Sequence, residues 1–506
     1  MNSNFNSWRP PGQRPAGQAG LAGRTTSPLA AEPPTRNTAL AYQLHFASHV
    51  NPAQQIGFWF LMGYLFLAVS RLPEFYAPGL HLPLILACLG LVMAVVGGGL
   101  VRLMKSALGR WYAGLTLCLG ASIPFSVWRG GSVETFTQEW LKSVLVFVML
   151  AALIRTSRHA LIAMGVIAWA SLGLIFLTYV HGVPGPEGRL MLPIGQYSNP
   201  NDLAIGLLMG ILFWWFMVAN PAHSILVRVL GLGVLGAALP ALVKTGSRAA
   251  MIVVVLALPM LLFQRSLANR LKLVVVGAVL VAVAVMALPG YLRERYLTFL
   301  APPDAEERGR PLTETEQAIF EGAVGSTQNR MELLRDSIRF TLQHPLLGVG
   351  LGMFAVAESD DAAVRGQRGL WKGTHNTYTQ VSSEAGIPAL VMLLAILVSA
   401  FRLLTRMQKA NAQSHHPYKQ HAAAAAAMLR AFLLATSVGL LFMHVAYSPM
   451  IPTFIGVVFG LAASTLEEIK AGEGATPALQ STTPLRGAGG ARQAARDPRA
   501  GYPRAV

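Results

Sequence analysis

The segment THNTYTQVSSEAGIPALV, residues 374–391, places His375, Asn376 and Tyr378 at the head of a run apolar enough to cross a bilayer. A neutral imidazole, with an ordinary pKa of about 6.5, takes a proton from an attacking hydroxyl near neutral pH. A lone histidine at a membrane interface also fits a plain amphipathic anchor. Two neighbouring basic connections favour chemistry. Arg189 lies in PEGRLMLPIGQYSNPNDLA (186–204), and Lys244 and Arg248 flank the tight hairpin KTGSRAA. Cations near the imidazole would lower its pKa and keep the base free. An arginine at a membrane helix end is costly unless it snorkels, pairs with a remote carboxylate such as Glu384, or meets an anion. Arginine suits phosphate because it is always charged and binds with two parallel hydrogen bonds. Glu384 falls nine residues after His375, about 2.5 helical turns further along. It is placed to orient another group or pair an arginine, and it is the rival base.

The remaining motifs point to local structure. Asn199-Pro200 favours a turn, and Asn201 or Asp202 can cap the helix that follows. A helix N-terminus there is also an anion site. HPLLGVGLGMF (344–354) alternates Gly348, Gly350 and Gly352; it reads as a tight loop allowing close backbone approach. The spacing does not fit a dinucleotide fingerprint. ESDD (358–361) offers Glu358, Asp360 and Asp361 as oxygen ligands for a hard cation, but no flanking ligand pattern supports a metal, and a solvated acidic loop is expected. There is no P-loop, no H-E-x-x-H and no G-x-S-x-G.

The elements that must position these groups are membrane helices. Of 506 residues, 53% are hydrophobic and 12% charged, with mean hydropathy +0.47, against about 25% charged residues in a soluble domain. Apolar runs of about 20 residues match a bilayer core crossed as helix. The reading is an all-α polytopic membrane protein with about 12 spans: 54–72, 80–103, 110–128, 140–156, 160–180, 202–220, 224–244, 247–264, 271–292, 376–404, 422–447 and 449–469. By domain, residues 1–53 form a disordered cytoplasmic tail without a cleavable signal; 54–292 hold the first nine spans, 293–375 a large outer loop, 376–469 the last three spans, and 471–506 a disordered basic tail. In the outer loop, 329–342 has helical spacing, with Thr327 placed to cap it. Cys88 and Cys118 fall inside spans and read as small buried apolar residues without a disulfide.

Loops carrying Lys105 and Arg110, Arg155 and Arg158, Arg228, Arg265, Arg270 and Lys272, and Arg402, Arg406, Lys409 and Lys419 contain no acid, so they face the cytoplasm. The net charge of +17 is mostly this topology signal plus the tails; no basic-aromatic module for nucleic acid is present.

Four motifs in order, GRLMLPIGQYSNPNDLA, TGSRAA, NRMELLRDSIRFTLQHPLLGVGLGMF and HNTYTQVSSEAGIPALV, resemble the O-antigen ligase/polymerase superfamily across residues 186–391. The resemblance implies a GT-C-like helical glycosyltransferase in the bacterial inner membrane, with its site facing the periplasm. It implies an undecaprenyl-diphosphate-linked O-antigen donor and, for the ligase branch, a lipid A-core acceptor. Transfer would be inverting, without metal or other cofactor. By position, His375 takes the place of the candidate base and Arg189 and Arg248 the diphosphate-binding arginines, with Arg330 a weaker match. Asn201, Asn376, Tyr378 and Glu384 are expected around the site. The ligase competes with an O-antigen polymerase or protein O-oligosaccharyltransferase of the same superfamily, and with a transporter or flippase. Transporters are often built from repeats around a midplane site; here no repeat is evident and the polar groups gather at one face.

Overall fold

The computed structural model describes residues 51–185, 188–220, 223–262, 271, 274–275, 278, 314–414, 416 and 418–481. Its main helices are α1 (Pro52–Ser70), α2 (Leu82–Val96), α3 (Ala107–Ser122), α4 (Leu141–Leu153), α5 (Ser157–His181), α6 (Pro200–Ala219), α7 (Ile225–Lys244), α8 (Arg248–Leu262), α9 (Glu314–Gln343), α10 (Phe354–Val364), α11 (Thr377–Gln413), α12 (Lys419–Gly439) and α13 (Met450–Ser481). Among the described residues, nine helices are long and apolar enough to cross a membrane; the chain is a multi-pass, all-α membrane protein. The expected spans 110–128 and 247–264 correspond to the shorter helices α3 and α8, and nearly all of 271–292 lies outside the described residues, as does 1–50.

Capping side chains account for several helix starts. Thr156 Oγ1 accepts from His159 N at 3.0 Å ahead of α5, and Ser106 Oγ accepts from Gly109 N at 2.9 Å ahead of α3. Such caps satisfy amides that have no partner within the helix. Four local expectations need correction. α9 begins at Glu314, so Thr327 lies within the helix and is no cap. α13 continues to Ser481, so 471–481 are helical rather than disordered tail, even though the stretch carries Gly472, Gly474 and Pro477. ESDD is part of α10, not a loop, and Glu358 is buried. Cys88 is exposed and Cys118 half-exposed, although both are free as expected. α2 turns Leu84, Ile85, Leu89 and Val92 outward, the arrangement of a helix at the edge of an apolar solvent.

The basic loops receive acids from α13. Arg102 Nε meets Glu467 at 2.8 Å and its Nη1 donates to Ile154 O at 2.8 Å. Glu468 accepts from Ser157 N at 3.0 Å and pairs with His416 Nε2 at 2.7 Å.

α11 is broken. Gly386 has φ 85° and ψ 173°, and Pro388 follows. In a continuous helix, Ser383 O would accept from Ile387 N and Glu384 O from the nitrogen of residue 388, which in proline has no hydrogen. Ile387 N turns instead to Pro345 O at 2.7 Å. The two stranded carbonyls are filled by the loop between α9 and α10: Val349 N donates to Ser383 O at 2.8 Å and Gly350 N to Glu384 O at 3.0 Å. The glycine alternation read in the sequence serves this repair. Gly348, Gly350 and Gly352 all have positive φ, and a Cβ on Gly350 would stand 2.0 Å from Ser126 Oγ.

Two substitutions separate backbone strain from crowding. Gly366 also has positive φ, 70°, with nothing near its Cβ position. Gly366→Ala should cost only left-handed strain, about 1–2 kcal/mol. Gly350→Ala adds overlap with Ser126 and should lower the unfolding midpoint of the purified protein well beyond Gly366→Ala; equal midpoints would remove the loop from its role as brace.

Candidate active site

The segment between α5 and α6 forms a small hairpin, with Val183–Pro184 paired antiparallel to Leu190–Met191. Gly185 N donates to Arg189 O at 2.7 Å, which presents the Arg189 side chain beside the α7–α8 turn. Its Nε donates to Thr245 O at 2.8 Å and its Nη2 to Asn201 Oδ1 at 2.7 Å. The cap of α6 is Asn199, whose Oδ1 accepts from Asn201 N at 2.9 Å. Neither Asn201 nor Asp202 caps the helix. Because a neighbour does that work, the Asn201 amide is available to aim the arginine.

His375 lies just ahead of α11 with φ 51°, a left-handed conformation uncommon outside glycine. Its neighbours hold it there. Thr374 Oγ1 donates to Asn376 O at 2.9 Å and lies 3.3 Å from His444 Nδ1. Gly373 packs so closely on His444 that a Cβ would fall 2.6 Å from its ring. Asn376 caps α11, its Oδ1 accepting from Tyr378 N at 3.0 Å and Thr379 N at 3.2 Å. Tyr378 donates its hydroxyl to Ser437 O at 2.6 Å on α12. Asn376 and Tyr378 therefore build the frame of the histidine.

A pocket opens where these pieces meet. Gly373, His375 and His444 line it together with Asn199, Asn201 and Asp202 of the α6 start and Ser247 and Ala249 of the α8 start. Arg248 stands between those last two at the first residue of α8. Glu384 is elsewhere. It is 1% exposed, and its Oε2 accepts from Gly352 N at 2.9 Å and Tyr447 Oη at 2.5 Å. The expected roles of Glu384 as arginine partner or rival base do not hold; it pins the brace loop to α11.

Burial lowers the His375 pKa to about 3, and Arg330, His444, Lys372 and Arg189 lower it further. The expected direction is present, but loss of water is the larger cause and the cations come second. Arg330, on α9, is the foremost of these charges, despite being the weaker motif match. Burial also depresses His444, to about 4. His444, Lys372 and the pocket role of Asp202 were missed in sequence. Asp202 was visible only as a possible cap, and His444 sits between two spans without a recognisable motif. Among the described residues, no group of three or more His, Cys, Asp or Glu is placed to hold a metal.

Fold and site together define a multi-pass helical membrane protein with a half-buried histidine and several cations around a pocket at one end of its bundle. Residues 233–394 match the family model described as O-antigen ligase, so this segment is similar to that family. The match spans Arg248, Arg330, His375 and Glu384; Arg189 and Asn201 precede it. No curated protein matches the chain.

The electrostatics give a direct test. Nuclear magnetic resonance of labelled histidine should find the His375 imidazole neutral down to about pH 4, given its pKa of about 3. Removing the largest lowering charge, in Arg330→Gln, should raise that pKa while burial keeps it below the ordinary 6.5. An unchanged value would place Arg330 away from the imidazole.

Proposed function

We propose that the protein transfers O-antigen polysaccharide from undecaprenyl diphosphate to an outer-core sugar hydroxyl of lipid A-core, on the periplasmic face of the bacterial inner membrane. The observation that carries this reading is the joining of His375 with Arg189 and the α6 and α8 starts around one pocket in a chain with a segment similar to this family. The acceptor hydroxyl oxygen attacks the anomeric carbon and its proton passes to His375. The bond from that carbon to the phosphate oxygen breaks, and undecaprenyl diphosphate leaves with the electron pair. Attack opposite the leaving group inverts the sugar. Arg189, Arg248 and Arg330 would meet the growing charge on the diphosphate, as fixed cations do in a site shielded from water. No metal or cofactor enters the scheme.

An imidazole with so low a pKa is free at neutral pH but a weak proton acceptor. A diphosphate seated among Arg330, Lys372 and Arg189 would offset the positive charge that depresses it. The base would then gain strength when the donor arrives. The single large outer loop ending in HNTY favours a ligase over a polymerase, and supplying the purified protein with lipid-linked glycan and different acceptors distinguishes them. Glycan joined to lipid A-core supports the proposal; extension of the lipid-linked glycan alone selects the polymerase, and no transfer to any acceptor refutes both.

His375→Ala should lose about 10²–10⁴-fold in turnover with donor binding retained. His375→Gln should not rescue, because an amide cannot accept the proton; near-normal turnover of a folded His375→Gln protein would reduce the histidine to a positioning group. The pH profile adds a second check. With the free imidazole at a pKa of about 3, kcat/KM should stay flat as pH falls to about 5. The acidic limb of kcat should lie at higher pH, because bound diphosphate raises the imidazole pKa. Coincident limbs would remove the coupling.

Arg189→Ala should weaken donor use by roughly tenfold to a hundredfold, the effect of losing a charged hydrogen bond. Arg189→Lys should recover only part, since a point charge cannot reproduce the two-pronged guanidinium. Steady-state kinetics with donor varied will decide, and an unchanged donor KM and kcat in Arg189→Ala would dismiss the phosphate contact.

A further inference from the structure

We infer that Trp371 is a stacking platform for a sugar ring of the acceptor, set beside the His375 pocket. The inference rests on the acceptor reading above and adds a residue that recognises that acceptor.

Trp371 is 64% exposed, yet its backbone is held in an unusual shape. Its φ is 51°, as at His375, and a bulky residue in the left-handed region is an outlier. Such conformations persist only where the surroundings impose them, and they gather at functional sites. Here the imposing group is Glu358 of α10, which is 1% exposed. Its carboxylate accepts from Leu370 N at 2.9 Å and from Trp371 N at 3.3 Å. Gly369 is pressed onto the same helix, where a Cβ would meet Ser359 Cα at 2.6 Å. A buried carboxylate is thus committed to two amides of an otherwise exposed strap, and the result is an indole turned toward solvent on a fixed backbone.

Its position relates it to the pocket. Gly373, two residues on, lines the pocket, and His375 follows. At most about 3.6 Å of chain per residue keeps the Trp371 and His375 Cα atoms within about 14 Å, the span of a short oligosaccharide. Indole offers a broad, rigid apolar face with negative π density, which suits the C–H face of a pyranose. The strap is otherwise polar: Arg365, Gln367, Arg368 and Lys372 are all exposed. That setting favours an oligosaccharide carrying anionic substituents over a lipid tail.

The test uses two variants of the full chain, with delipidated core oligosaccharide as binding probe and lipid A-core as substrate. Trp371→Gly removes the ring and relieves the left-handed backbone, so its unfolding midpoint should match or exceed wild type. It should weaken oligosaccharide binding and raise acceptor KM about tenfold, leaving donor KM unchanged. Trp371→Phe should restore part of both. A folded Trp371→Gly protein with wild-type oligosaccharide affinity overturns the platform, as does an effect confined to membrane association, which would make Trp371 an interfacial anchor. If wild type binds the oligosaccharide through Trp371 but ligates nothing to lipid A-core, the platform stands and the ligase reading fails. If wild type does not bind the oligosaccharide, the platform is wrong whatever the protein catalyses.

Discussion

The break in α11 at Gly386 is the constraint on which the site depends. A broken helix in an apolar environment exposes carbonyls that water cannot satisfy. Here the Val349 and Gly350 amides satisfy them and Pro345 O receives the diverted Ile387 amide. Glu384 reinforces the same joint by holding Gly352 N and Tyr447 Oη. The brace loop follows directly from α9, the helix that carries Arg330, while His375 stands immediately before α11. Fixing the loop against the break therefore fixes α9 relative to the start of α11. The charge with the largest effect on the imidazole is set by backbone hydrogen bonds well away from it.

The two faces of the bundle use arginine differently. On the face of the basic loops, Arg102 is matched to Glu467 and to the last carbonyls of α4, so its work is structural. On the pocket face, Arg189 is aimed by a carbonyl and an amide oxygen, Thr245 O and Asn201 Oδ1. Both acceptors are neutral, and together they set the direction of the guanidinium.

What could be read in the sequence was what short-range physics controls. Hydropathy located the membrane helices, the 329–342 periodicity lay within α9, and the glycines of 348–352 did allow close approach. His375, Arg189 and Asn201 do meet at or beside one pocket. The failures involve partners distant in the chain. Glu384 bonds to residues 32 and 63 positions away, and no local pattern announces that pairing. Tyr378 was expected at the site but reaches across to Ser437. The acidic run 358–361 looked solvated because charge is read locally; Glu358 is buried on the amides of a strap twelve residues later. His444 comes from a connection with no motif, and its place at the pocket emerges from its contacts with Gly373 and Thr374.

The brace loop also bears on assembly. It docks on two regions: the 126–135 stretch, where Ser126, Ser132 and Thr135 contact its glycines and carbonyls, and α11 itself. Ribosomes deliver chain from the N-terminus, so the 126–135 stretch is inserted first, the loop second and the broken helix last. A surface that supplies the missing hydrogen-bond donors can thus be in place before α11 emerges. The defect in α11 never has to wait in lipid for its partner, and the order of synthesis does for this helix what a chaperone would otherwise have to do.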